Sequence, residues 1–407
     1  MPQYGSPHDE IENRAFEIVN GLFANALVRG LIRYIKAAIA GLEPSFLRDA
    51  DIDTVAVTAE RKNAISLLDG LRGIACLLVF NYHFIFTYTF QSDYGFGFSE
   101  ENWHWHQLPY VHMLYSGHIM VDIFFVISGY VLSYKPLKLL RSQNWDQAFH
   151  TLASSTFRRS MRLYIPSVVG ILCVFLAVRM GAYDFSTLIR FDGQTILGTN
   201  EEHPPIFDTW REQLYDVYCT IWALTDWWHW DFYYNNYNPH LWTIAIEFRS
   251  SMVLFLVLLA LTRIKSRWRI GIAVWLSAMF LRWSRWDVML FLGGMVMAEL
   301  DMICGVWEGE KERLQEATDL EKQVSIPLDK RLLFWLYDCE PLWWIVLIVG
   351  GYLGSTPNRF PEFTPGYVYL LEWVPDDFIE RDRLWQAIGA LMMIWSIIHL
   401  KVFRNLS

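Results

Sequence analysis

Cysteine is scarce in this sequence, and its spacing is uninformative. The five residues Cys76, Cys173, Cys219, Cys304 and Cys339 include no CxxC pair. Such scatter speaks against a zinc site and against a disulfide framework. Charge is scarce as well. Asp, Glu, Lys and Arg make up 19% of the chain, below the share of about 25% in an ordinary soluble domain. The formal net charge is −9, so the basic footprint of a nucleic-acid binder is missing. The start, MPQYGSPHDEIENR, lacks the basic-then-apolar order of a secretory leader. Insertion into a membrane is therefore expected to use internal helices. No period of 20–50 residues recurs, which argues against a solenoid.

Apolar residues are abundant. The chain is 53% hydrophobic and 16% aromatic over 407 residues. A disordered chain needs the opposite composition, and one soluble core would not absorb this much apolar surface. Crossing the hydrocarbon core takes about 20 apolar residues, with a range of roughly 17–25. Clear runs occupy residues 67–90, 114–134, 163–183 and 240–262. Shorter runs occupy 270–283, 286–300, 341–355 and 384–403. The expectation is an all-α, polytopic transmembrane helix bundle of about eight spans within residues 64–403. Residues 1–63 are expected to be a cytoplasmic segment. In it, apolar and basic residues alternate at helical spacing over 16–41, as in an interfacial amphipathic helix. Residues 305–335 are expected to form a polar cytoplasmic loop and 404–407 a short tail.

Basic residues set the expected orientation. Lys135, Lys138, Arg141, Arg158, Arg159 and Arg162 fall between the second and third runs, and Arg263, Lys265, Arg267 and Arg269 follow the fourth. Residues 91–113 contain no Lys or Arg. If the runs alternate across the bilayer, both termini are cytoplasmic. The aromatic stretch 215–238 fits either an interfacial belt or a substrate-stacking surface.

A charged group at the centre of a span costs about 2.5–3.5 kcal/mol, so it usually has a task. Arg72 and His83 are eleven residues apart in the first run. That is nearly three turns, or about 16 Å along the axis. The pair suits an elongated, phosphate-bearing donor, with the cation at the head and a base near the reacting carbon. It equally suits a snorkelling Arg and a hydrogen-bonded core His. Asp122, in VDIFFVISGY, must be paired or protonated. Its expected partner is Arg72 or an Arg of the following segment. Ser128 and Gly129 favour close helix packing. In FRRSMRLYIP, Arg159 and Arg162 share a helix face. With Arg158 they are either a positive-inside anchor or a bidentate phosphate site. Glu247, in HLWTIAIEFR, either orients a His or holds a break in its helix. His104, His106 and His112 are expected in a solvated aromatic loop rather than around a metal.

Four strings carry a family resemblance: LLDGLRGIACLLVFNYH, VDIFFVISGYVLS, FRRSMRLYIP and LWTIAIEFRSSM. Their content and order resemble the acyltransferase-3 family of integral membrane O-acyltransferases, most of all its fungal members, over roughly residues 64–400. The resemblance implies a bundle of about ten helices. It implies acyl-CoA as co-substrate, no permanently bound cofactor, and a hydroxyl-bearing sugar, lipid or secondary metabolite as acceptor. It makes His83 the catalytic residue and Arg72 a donor-binding residue. It places the family's acidic residue at Asp122, its basic segment at Arg158, Arg159 and Arg162, and its Trp and Glu at Trp242 and Glu247. A further late segment is expected where this sequence reads KVFRNLS. A proton-coupled transporter, a lipid-binding membrane protein and an inactive relative stand as alternatives at this stage.

Overall fold

Each apolar run becomes a helix. The computed structural model describes residues 64–184, 204–230, 234–304, 306, 337 and 339–404. Its main helices are α1 (Ala64–Phe86), α2 (Gly117–Arg141), α3 (Trp145–Arg179), α4 (Trp210–Thr225), α5 (Trp242–Ala260), α6 (Ser266–Arg282), α7 (Trp286–Cys304), α8 (Glu340–Gly354) and α9 (Arg381–His399). No strand occurs among the described residues. The expectations for 1–63 and for most of the 305–335 loop lie outside the described residues.

Among the described residues, three segments are long and apolar enough to cross a membrane: α2, α3 and Pro239–Ala260, which includes α5. Helix α1 has 23 residues but carries Asp69, Arg72, Asn81 and His83 among its apolar ones. Helix α8 is apolar but shorter. The protein is thus an all-α membrane protein.

Helix α3 starts earlier than its apolar run. The expected run opens at 163, whereas the helix opens at Trp145 and has 35 residues. The Asn144 side chain accepts from the Gln147 N–H and caps it. A turn through Ser142–Asn144 joins α2 to α3, with Gln143 in a left-handed conformation at φ 59°. Arg158, Arg159 and Arg162 therefore lie well inside this helix.

Helix α2 is central. In its most apolar window 67% of residues are buried, against 22% in α3. Small residues bring α2 and α7 together. A Cβ on Gly129 would stand 2.2 Å from the Phe291 carbonyl oxygen, and one on Gly294 would stand 2.4 Å from that of Val126. Backbones this close exclude any larger residue. Phe125, Ile127, Tyr130, Leu290 and Phe291 fill the surrounding core. Between helices in a bilayer such side chains stabilise the fold through close van der Waals packing rather than by leaving water. Helix α3 instead turns Met161, Ile165, Val169, Leu172 and Leu176 outward. Their three- and four-residue spacing makes one apolar stripe, as contact with lipid requires.

Candidate active site

Three helix faces converge on a cavity of about 800 Å³. Helix α1 supplies Cys76, Phe80 and His83; α2 supplies His118, Val121 and Phe125. The third face is His240, Thr243 and Glu247 at the start of α5. On each face the residues recur every three or four positions, so one side of each helix lines the space.

His83 faces His240. Their ring centroids are 4.0 Å apart and the rings are tilted by 41°. The backbone before α5 fixes His240. Asn238 caps the turn Pro239–Leu241 by accepting from the His240 N–H at 3.2 Å. Asn235 accepts from Tyr237 N and Asn238 N. The Tyr237 hydroxyl donates to Asp216 at 2.7 Å, tying this loop to α4.

Glu247 is held by Arg159, whose Nη2 lies 2.7 Å from Oε1. The same guanidinium donates from Nε to the Ser251 hydroxyl at 2.5 Å, and Ser251 donates to the Glu247 carbonyl at 2.6 Å. Arg159 thus spends Nε on Ser251 and Nη2 on Glu247. Arg72 and Arg162 lie within electrostatic reach of Arg159. Arg72 also pairs with Asp69 at 3.2 Å, one helical turn back. Arg158 is exposed and donates to its own helix, at the Ser154 carbonyl.

Asp122 has a different partner from the one its sequence neighbourhood suggests. It is fully buried and pairs with Arg383 Nη1 at 3.4 Å. Neither Arg72 nor an Arg of α3 fills that role, because α9 packs against α2 and brings Arg383 alongside. Arg383 lines the cavity, pairs with Glu380 at 3.4 Å, donates to the His118 carbonyl at 3.3 Å and stacks over the Trp286 ring at 4.6 Å. The His118 ring hydrogen-bonds Asn358, whose Oδ1 accepts from Gln386.

The polar end of the cavity is completed by Asp93. It accepts from the Tyr82 hydroxyl at 3.1 Å and pairs with Arg359 at 3.3 Å. Burial pushes its carboxyl above the usual range, against the opposing pull of Tyr82 and Arg359.

The three loop histidines do not behave alike. His104 and His106 stack at 5.2 Å. His112, contrary to the solvated-loop expectation, is buried, with Nε2 2.7 Å from the Ser92 carbonyl. Burial pushes its imidazole down to about 4. Among the described residues no group of His, Cys, Asp or Glu forms a metal cluster.

Of the residues proposed from sequence, His83 and Glu247 share the cavity, and Arg159 holds Glu247. Arg72 and Arg162 gather near Arg159. Asp122 stands behind the wall and Arg158 apart. His240 and Arg383 escaped the sequence reading. His240 lies seven residues before Glu247, which is two helical turns, and that spacing was a usable signal. Arg383 was visible only as an Arg beside an apolar run.

A family model described as an acyltransferase domain matches residues 65–303. The chain belongs to the acyltransferase-3 family. It is a transferase, and the match takes in His83, Glu247 and the three arginines of α3. O-acetyltransferase PaAT-1 of Phomopsis amygdali is 30% identical over 356 residues, covering 84% of this chain and 67% of the relative. Acyltransferase R4 of Phoma sp. (strain ATCC 20986 / MF5453) is 27% identical over 373 residues, covering 82% and 76%. Acyltransferase clz18 of Cochliobolus lunatus is 26% identical over 385 residues, covering 85% and 78%. No solved structure matches this acyltransferase.

Proposed function

We propose that this acyltransferase moves an acyl group from acyl-CoA to a hydroxyl of a small molecule, with His83 as general base. The acyl group is an acetyl, by analogy with the O-acetyltransferase of Phomopsis amygdali. The observation that carries the reading is one cavity holding His83 against His240 at 4.0 Å, with Glu247 braced by Arg159 in the same wall.

His83 takes the proton of the acceptor hydroxyl. The oxygen bonds to the thioester carbon, the C–S bond breaks, and the departing thiolate recovers the proton from the imidazolium. Arg72 and Arg162 receive the donor's phosphates, while Arg159 serves through Glu247. Glu247 and the Asp122–Arg383 pair balance charge around the imidazoles. The bundle crosses the bilayer about eight times, with both termini on the cytoplasmic side, where the basic residues cluster.

The test is to incubate membranes containing the protein with labelled acetyl-CoA and extracted lipids or metabolites. A labelled ester above the level in control membranes is expected. Hydrolysis of the donor without any ester would contradict the reading.

A further inference from the structure

The cavity wall has two characters. At one end the arginines are engaged: Arg383 by Asp122 and Glu380, and Arg359 by Asp93. Beside Cys76 the wall is Val79, Phe80, Val121 and Phe124, with Glu247 across the cavity held by Arg159. Cys76 and Phe80 also stand on the outer surface of α1, Phe80 with 69% exposure. From Gly73 to Phe84 every exposed residue of α1 is apolar: Gly73, Ile74, Cys76, Leu77, Phe80 and Phe84. That stretch covers about 17 Å of helix axis, more than half of a hydrocarbon core of about 30 Å. A helix facing water places polar residues on such a surface; this one is matched to acyl chains. Cys76 and Phe80 both line the cavity and stand on this surface, so the cavity reaches the hydrocarbon face beside them, one to two helical turns from His83.

We propose that the acceptor is a lipid-soluble alcohol, an apolar body bearing a hydroxyl, which enters sideways from the bilayer past Cys76 and Phe80. The proposal rests on the acyl-transfer reading and names its acceptor class. A water-borne sugar entering past Cys76 and Phe80 would first cross the hydrocarbon and then set its hydroxyls against Phe80, Val121 and Phe124 before reaching Thr243 or Glu247, and so lose water on the way in without gaining partners. An apolar body loses nothing there, and its hydroxyl meets His83.

Cys76 supplies the probe. In a variant carrying Cys173→Ser, Cys219→Ser and Cys339→Ser, the remaining exposed cysteine is Cys76, and Cys304 is buried. A bimane attached to Cys76 in lipid nanodiscs is exposed in turn to brominated phosphatidylcholine, to aqueous iodide, and to 12-bromododecanol against bromododecane. Several-fold stronger quenching by the brominated lipid than by iodide is expected. The alcohol is expected to quench at a lower mole fraction than the alkane. Dominant quenching by iodide, or equal quenching by alcohol and alkane, overturns the proposal. Neither readout needs turnover. If quenching follows the expected pattern while membranes form no ester, the acyl-transfer reading fails and lateral access stands.

Discussion

Arg383 Nη1 stands 3.4 Å from Asp122 Oδ1, across 261 positions of sequence. This contact joins α9 to α2 behind the cavity wall. Both groups are almost wholly buried, so neither is neutralised by water. Removing Arg383 strands the Asp122 carboxylate at a cost of about 3–5 kcal/mol, whereas removing Asp122 leaves Arg383 its contact with Glu380 at 3.4 Å and costs less. Asp122→Asn and Arg383→Met are each expected to lower the melting temperature in detergent clearly. The double variant is expected to lose less than the sum of the two. Additive losses would show that the pair is not an energetic unit.

Arg159 and Arg162 are one helical turn apart yet should behave differently. Arg159 is spent on Glu247, whereas Arg162 is exposed. Arg162→Gln is expected to raise KM for acetyl-CoA about tenfold, the equivalent of one contact of about 1.4 kcal/mol, with kcat little changed. Arg159→Gln is expected to lower kcat by about 10²-fold, because it releases Glu247. Steady-state kinetics on purified enzyme separates the two. The reverse pattern would mean that Arg159 meets the donor directly.

The sequence exposed the parts of the site that lie on one helix. Arg72 and His83 share α1, and the polar residues in otherwise apolar runs marked Asp122 and Glu247 as unusual. Their partners were not legible. Arg159 reaches Glu247 across 88 positions and Arg383 reaches Asp122 across 261. Such pairings depend on the order in which helices pack, and periodicity along one helix says nothing of that order. The start of α3 was hidden for a related reason. Residues 145–162 are too polar to register as an apolar run, but Asn144 caps them and they continue the helix without a break.

His112 sets a pH dependence of stability. Its folded-state value lies at about 4, below the ordinary 6.5 or so of a free imidazole. The unfolded chain therefore binds the proton first. The contribution is fully present above about pH 6.5 and is lost as pH falls toward 4, reaching about 3 kcal/mol. His112→Gln keeps a donor for the Ser92 carbonyl and removes the titration. Melting temperatures between pH 7 and 5 are expected to fall less in His112→Gln than in the native chain. Parallel curves would remove His112 as the cause.

Two glycines make opposite expectations. A methyl on Gly129 meets the Phe291 backbone at 2.2 Å, whereas one on Gly271 meets nothing within 4 Å. Gly129→Ala is expected to cost about 1–3 kcal/mol by overpacking α2 on α7. Gly271→Ala, on the exposed face of α6, is expected to gain about 0.4–1 kcal/mol. Thermal unfolding in detergent reads both signs. A neutral Gly129→Ala would contradict the close helix contact.

The role of His83 is tested most directly by acyl transfer in His83→Ala membranes, measured beside native membranes with labelled acetyl-CoA at equal protein abundance. Ester formation is expected to fall by about 10²–10⁴-fold while the protein accumulates normally. Ester formation at the native rate would contradict the assignment of His83 as the base.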